Sequence, residues 1–367
     1  MWRVFPSLAA LVVCCAAPGA AQQTWSIARS PDFVLGSAEG QPETAFHDVR
    51  GALQTPQGDL VVADGGSSEI RVFAPSGELI TRFGGRGGGP REFESIEWME
   101  YCGGTAVSVY DRRRRRLTRW TPQGDLVEEI NVAGLNGLPP FTAYCGHSGS
   151  LAVIGWPDIG SYSGGIGPYR MDVDVGAVDS GGGATRSVGR FPGPERYRYG
   201  GSDGPRPLGR NTVVRPFENG VYVVTGDAYQ IIVARTSGGQ RSFGRELDRR
   251  RMTPELVRTW HDSVVARFPP AERASARQGL RDHQGPDKLP AYSLLMFDEL
   301  GRLWARHHGA PGERTDTWDI YTDERWIASV TVPNSFRPTQ ISKDWILGVK
   351  RDDMGIERIE RRELIGP

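Results

Sequence analysis

Few residues in the chain have the types and spacing that chemistry at a site would need. Arg112–Arg116 are five consecutive arginines. Guanidinium forks suit carboxylates and phosphates, so the run reads either as a solvated surface turn or as a patch for an anionic ligand or partner. The histidines at 47, 147, 261, 283, 307 and 308 show no metal-ligand spacing such as HxxxH, and a strand would point His307 and His308 to opposite faces. Asp64, Asp111 and Asp227 fall near the ends of equivalent strand-like runs, where a short carboxylate more readily serves turn hydrogen bonds than a metal. There is no GxSxG elbow. The run Gly84–Pro90 resembles a phosphate loop, but no helix follows it, so it is a connector. No metal site and no nucleophile are expected from these residues.

The segment Ala45–Phe93 shows what must carry such side chains. Its strand-like runs are His47–Gln54, Asp59–Ala63, Glu69–Ala74 and Leu79–Phe83, separated by Pro56-Gln57-Gly58, Asp64-Gly65-Gly66 and Pro75-Ser76-Gly77. Branched and aromatic residues alternating with polar ones between such turns mark half-buried strands. One constant offset maps Phe46 to Phe93, Leu60 to Val107, Asp64 to Asp111, Phe73 to Trp120, Pro75 to Pro122 and Gly77 to Gly124 without a gap. A repeat of this length built from short strands predicts propeller blades.

Continuing the pattern predicts an all-β, six-bladed β-propeller of four-stranded blades within residues 22–367. Blade two covers about Glu92–Ala133, blade three starts at Leu138, and blade four holds VYVVTGD and QIIVARTSGG. From about 246 to 288 the period turns helical, with Thr253 as N-cap and Pro254 at the first helical position, which predicts a short helical insertion between blades four and five. Blade six offers three strands of its own, so WSIARSPDFVLG at the N-terminus is expected to close the ring. An open β-solenoid would leave that strand unpaired.

The 367 residues carry 44 Lys plus Arg against 44 Asp plus Glu, so no net field favours nucleic acid. Residues 1–21 have the form of a secretory signal cut after Ala21, with lipidation at Cys14 or Cys15 as the alternative. No later run reaches transmembrane length. The protein is therefore expected to be exported, periplasmic or secreted, and a monomer. Cys102 and Cys145 each follow a tyrosine, precede a glycine and end the innermost strand of neighbouring blades. A structural disulfide is expected, against two buried thiols.

In a propeller the first-to-second and third-to-fourth turns share one face, and these turns are short. The expansions fall on the other face: the Gly84–Gly89 loop, the arginine run, loops 157–168 and 191–209, the helical insertion and His307–Thr315. Arg112, Arg114, Arg116, Trp156, Tyr162, Tyr197 and His307 are the binding candidates there, where the central funnel is expected to open.

The pattern GDLVVADGGSSEIRVFAPSGELITRFGGRGGGPREF resembles NHL-type repeats, and LPAYSLLMFDELGRLWARHH and SKDWILGVKRDDMGIERIERREL are similar to exported bacterial six-bladed propellers of unassigned activity. The resemblance implies the fold and leaves the chemistry open, because binding modules, lactonases and lyases share it. Two functions follow. The first is a non-catalytic propeller, with no cofactor, binding a protein, peptide or glycan on its loop-rich face. The alternative is a lactonase-like hydrolase using Ca or another divalent metal in the funnel, where the lactonases of similar shape place acidic and amide ligands.

Overall fold

The computed structural model describes residues 23–36, 41–104, 106–157, 162–178, 184–199, 202–280 and 285–366. The expected signal segment, with Cys14 and Cys15, lies outside them, as does His283. The chain opens with β1 (Gln23–Ile27) and β2 (Phe33–Leu35). A four-stranded antiparallel sheet follows, β3 to β6 (Val49–Gln54, Leu60–Asp64, Glu69–Phe73, Leu79–Gly84), then a second, β7 to β10 (Ile96–Tyr101, Val107–Asp111, Arg116–Trp120, Leu126–Asn131). The third sheet has five strands, β11 to β15 (Pro140–Cys145, Leu151–Gly155, Gly167–Val178, Arg186–Tyr199, Ser202–Pro205). The fourth is β16 to β19 (Val213–Phe217, Gly220–Val224, Gln230–Arg235, Gln240–Gly244). In the last, β20 to β23 (Tyr292–Phe297, Leu303–His307, Thr315–Thr322, Arg325–Pro333) and β24 to β26 (Phe336–Ile341, Trp345–Arg351, Glu357–Ile365) join through β1. The fold is a β-propeller.

The sequence repeat reappears as packing. Phe46 meets Phe73 edge-on at 6.0 Å between ring centres, and their counterparts Phe93 and Trp120 meet at 6.1 Å. Asp64 and Asp111 are both buried and both bind backbone: Asp64 accepts from Gly66 N at 3.0 Å, and Asp111 from Glu94 N at 2.7 Å and Arg114 N at 3.1 Å. Turn bonding was the expected task of Asp64, Asp111 and Asp227, and for the first two it follows from a donor-rich turn beside a buried acceptor; Asp227 differs, pairing with Arg170 and Arg210 and accepting from Thr225 Oγ1. At the short turns, Gly58 and Gly77 take φ of 95° and 86°, a region that disfavours any side chain.

Two stretches differ from the sequence reading. The segment 191–209 was expected as a loop, yet β14 continues to Tyr199 and β15 pairs with it. Its prolines suggested a loop, but the register shifts from Arg170↔Glu195 to Asp172↔Pro192, leaving Gly193 and Pro194 in a bulge opposite Met171. The N-terminal stretch is also divided rather than one closing strand. Within β1, Gln23–Trp25 run parallel to β23 while Ser26 and Ile27 run antiparallel to β26, and β2 pairs antiparallel with β26 farther along. Trp25 is buried there, edge-on to Trp304 at 6.2 Å.

Between β19 and β20 lie helices α1 (Pro254–Val265) and α2 (Arg273–Leu280). Thr253 caps α1 by accepting from Leu256 N, and Trp260, Val265 and Leu280 bury the apolar stripe.

Candidate functional site

The first strands of the successive antiparallel runs, β3, β7, β11, β16, β20 and β24, converge on a cavity of about 550 Å³. It lies at their carboxyl ends, on the face of the short turns. The funnel was expected among the expansions; the cavity opens at the opposite end of the strands. The reason is in the strand ends themselves: Gly103, Gly104 and Gly146 follow β7 and β11 and add no side-chain bulk at the mouth. The disulfide Cys102–Cys145 spans the same rim, with Cα atoms 5.7 Å apart.

The walls are largely apolar: Leu53, Met296 and Ile341 with half-buried Tyr101, Phe297 and Trp345. Tyr101 occupies in its repeat the position of Gln54 in the previous one. Its hydroxyl donates to Gln54 O at 3.3 Å, and burial pushes its pKa up to about 12, so it stays a neutral donor. Gln340 and Gln54 are tied together: Gln54 N donates to Gln340 Oε1 at 2.6 Å, and Gln340 Nε2 donates to Gln54 O at 3.3 Å. Among the described residues, Arg215 and Glu100 both line the cavity and form an ion pair, with Nη2 3.0 Å from Oε1. Arg215 Nε also donates to Leu295 O at 2.7 Å, and its guanidinium lies 5.2 Å from the Tyr144 ring centre. Burial raises the Tyr144 hydroxyl to about 12, against the pull of Arg215.

These donors suit a divalent cation poorly. Among the described residues no three His, Cys, Asp or Glu side chains gather as a metal site. Of the carboxylates on the cavity, Glu100 holds Arg215, Asp298 is taken by Arg302 and Trp304, and Glu299 accepts from Lys343 N.

The predicted binding residues are not brought together at one place. Arg112 lies 4.6 Å over the Phe141 ring, and Trp156 meets the same ring edge-on at 4.6 Å, so Phe141 joins two candidates distant in sequence. Tyr162 stacks on Tyr169 at 3.9 Å beneath the Arg198 guanidinium, and Tyr197 sits nearby on β14, paired with Pro168 and Gly204. His307 is elsewhere, its Nε2 2.8 Å from the wholly buried Asp319. Burial pushes the Asp319 carboxyl up, but His307, Ser329 and the Tyr292 hydroxyl together hold it below the usual range. Arg114 is exposed and paired with Glu94.

Arg116 departs from the expected solvated turn. Its side chain is 5% exposed and its guanidinium donates to Gly89 O and Glu92 O. In the preceding repeat Arg71 clamps Glu43 O and Ala45 O in the same way. Both guanidiniums tie a connector's backbone to the strand they come from. The cavity residues themselves were missed. The repeat alignment does mark Gln54 and Tyr101 as equivalent strand ends, but nothing in it brings Glu100 and Arg215 together.

No family model and no curated protein matches the chain. Among solved structures, a member of the DUF4221 family from Bacteroides vulgatus aligns with a TM-score of 0.52 at 10% identity, covering 94% of this chain and 100% of that one. A Bacteroides fragilis chain described as an exported protein aligns at a TM-score of 0.47 and 11% identity, covering 94% and 95%. Virginiamycin B lyase from Staphylococcus aureus aligns at 0.42 and 10%, covering 93% and 100%. At such identities the likeness is one of fold. This chain is similar in fold to a β-propeller.

Proposed function

We propose that this protein is an exported, non-catalytic six-bladed propeller that holds a small ligand in its axial cavity. In this reading β3–β6, β7–β10, β11–β14, β16–β19, β20–β23 and β24–β26 with β2 are the blades, β1 locks the ring, and the two helices are an insertion between blades four and five. The observation that carries the function is the makeup of the cavity: apolar and aromatic walls, amides tied to one another, and carboxylates already paired. Such a lining favours enclosing a ligand over activating water. An oxidising compartment agrees with the Cys102–Cys145 bond.

The test is ligand-observed NMR of the purified mature chain against a fragment library. Tyr101→Ala is expected to weaken the hits more than tenfold while Arg112→Ala leaves them unchanged. Hits insensitive to Tyr101, or turnover of lactones dependent on added calcium, would overturn the reading. The Phe141 stack with Arg112 and Trp156 favours a second reading, a protein, peptide or glycan docked on the loop-rich face. In a pull-down from exported proteins, Arg112→Ala and Trp156→Ala would then lose the partner, and Tyr101→Ala would keep it.

A further inference from the structure

We propose that a second pocket, separate from the axial cavity, binds a phosphate group, either free or as a phosphomonoester. The pocket has a volume of about 420 Å³ and lies beside the residues that lead into β3, at the other end of that strand from the cavity. Its ionisable groups come from three places in the chain. His47 and Asp48 precede β3, Arg86 lies in the connector after β6, and Arg351 and Glu357 stand at either end of the turn joining β25 to β26.

In this pocket the cations are open and the acids are engaged. The Arg351 guanidinium has no hydrogen bond or ion pair among the described residues. It packs against Gly355 of its own turn, where an added Cβ would come within 3.5 Å of Nη2. Arg86 donates from Nη2 to Gly66 O at 3.2 Å and has no ion pair among the described residues, and the His47 ring has no partner among them. By contrast, Asp48 is held by Arg50, with Nη2 2.5 Å and Nε 3.0 Å from Oδ2. Glu357 accepts from Val49 N at 2.7 Å, and its charge acts on Arg337 of β24.

These charges select the ligand. With Arg50 and Arg337 included, four guanidiniums stand against two carboxylates, an excess of two positive charges while His47 is neutral. A phosphate dianion cancels that excess, and its oxygens can accept from Arg86, Arg351 and His47 together. A carboxylate brings one charge and two oxygens, which leaves one guanidinium uncompensated. A cation meets net repulsion. The glycine-rich connector Gly84–Gly89 resembles a phosphate loop in sequence; here it is Arg86, rather than a helix N-terminus, that would meet the anion.

NMR titration of the full mature chain at pH 8 and constant ionic strength compares inorganic phosphate, glycerol 3-phosphate and acetate. Both phosphates are largely dianionic there. At least one of them is expected to bind about tenfold or more tighter than acetate, and their order identifies whether the free or the esterified group is preferred. Arg86→Gln and Arg351→Gln, each checked for folding by its melting curve, should weaken the tighter phosphate at least about fivefold. Arg113→Gln, which removes an exposed arginine outside the pocket, should leave it unchanged. Acetate binding as tightly as both phosphates would overturn the proposal. So would Arg86→Gln and Arg351→Gln affinities equal to wild type, or a loss of the same size in Arg113→Gln. Absence of saturable binding by either phosphate below about 50 mM would overturn it as well.

Discussion

Glu97 shows how one side chain registers the packing around it. It lies on β7 and accepts from Thr142 Oγ1 at 3.0 Å. Burial raises its pKa above the ordinary carboxylate value, and Arg112, Thr142 and Arg50 pull it back only in part. A carboxyl whose pKa is raised on folding binds its proton more tightly in the folded state. Its contribution to stability is full below the unfolded pKa and is lost as pH rises through the folded one. Glu97→Gln should therefore raise the melting temperature at pH 7, by about 2 °C, and the gain should vanish near pH ~4. A gain of equal size at both pH values would place the effect in packing instead. Arg116 and Arg114 make a second comparison, two residues apart in sequence. Arg116→Ala removes a buried clamp and is expected to cost about 3 kcal/mol, whereas Arg114→Ala removes an exposed pair worth less than about 1 kcal/mol. Urea denaturation of both variants measures the difference, and equal costs would refute the buried role.

At the level of elements, the disulfide ties the end of β7 to the end of β11, two strands in separate sheets that are not hydrogen-bonded to each other. It closes a loop across a sequence separation of 43 residues. Restricting such a loop in the unfolded chain is worth roughly 3–4 kcal/mol in the chain-entropy account. Replacing both cysteines by alanine should lower the denaturation midpoint by the corresponding amount. Because Cys145 also lines the cavity, ligand affinity in that variant reports whether the rim shifts once the bond is gone. The bulge at Gly193 and Pro194 has a comparable effect: a proline-bearing segment that read as a loop shifts the register between β13 and β14, and β14 pairs on as far as Arg198.

In the molecule as a whole, the first and last described strands meet. β1 holds both β23 and β26, and β2 extends β26 on the same side of the chain. Trp25 packs into a buried cluster with Trp304, Trp318, Phe336 and Leu364, drawing on both ends of the sequence. Removing residues 23–35 would expose that cluster and leave β26 with an open edge, an invitation to intermolecular pairing. The truncated chain is expected to melt well below the mature one and to aggregate on heating. A melting curve matching the intact chain would show that these strands are dispensable.

What the sequence determined by itself was local. Alternating strands, turn glycines such as Gly58 and Gly77, the cap at Thr253 and the offset linking Phe46 to Phe93 are written in neighbouring residues, because dihedral preferences and one-face burial act over a few positions. The cysteine pair was also legible, since the repeat put both residues at the same strand end. Tertiary structure decided the rest. Glu100 and Arg215 are far apart in the chain and meet because first strands from different sheets converge on one cavity. Arg116 turned inward, where its guanidinium donates to Gly89 O and Glu92 O of the connector packed beside it. Neither event leaves a periodic mark, because each depends on which groups the packing of separate strands brings within reach, and the repeat encodes only the strands themselves.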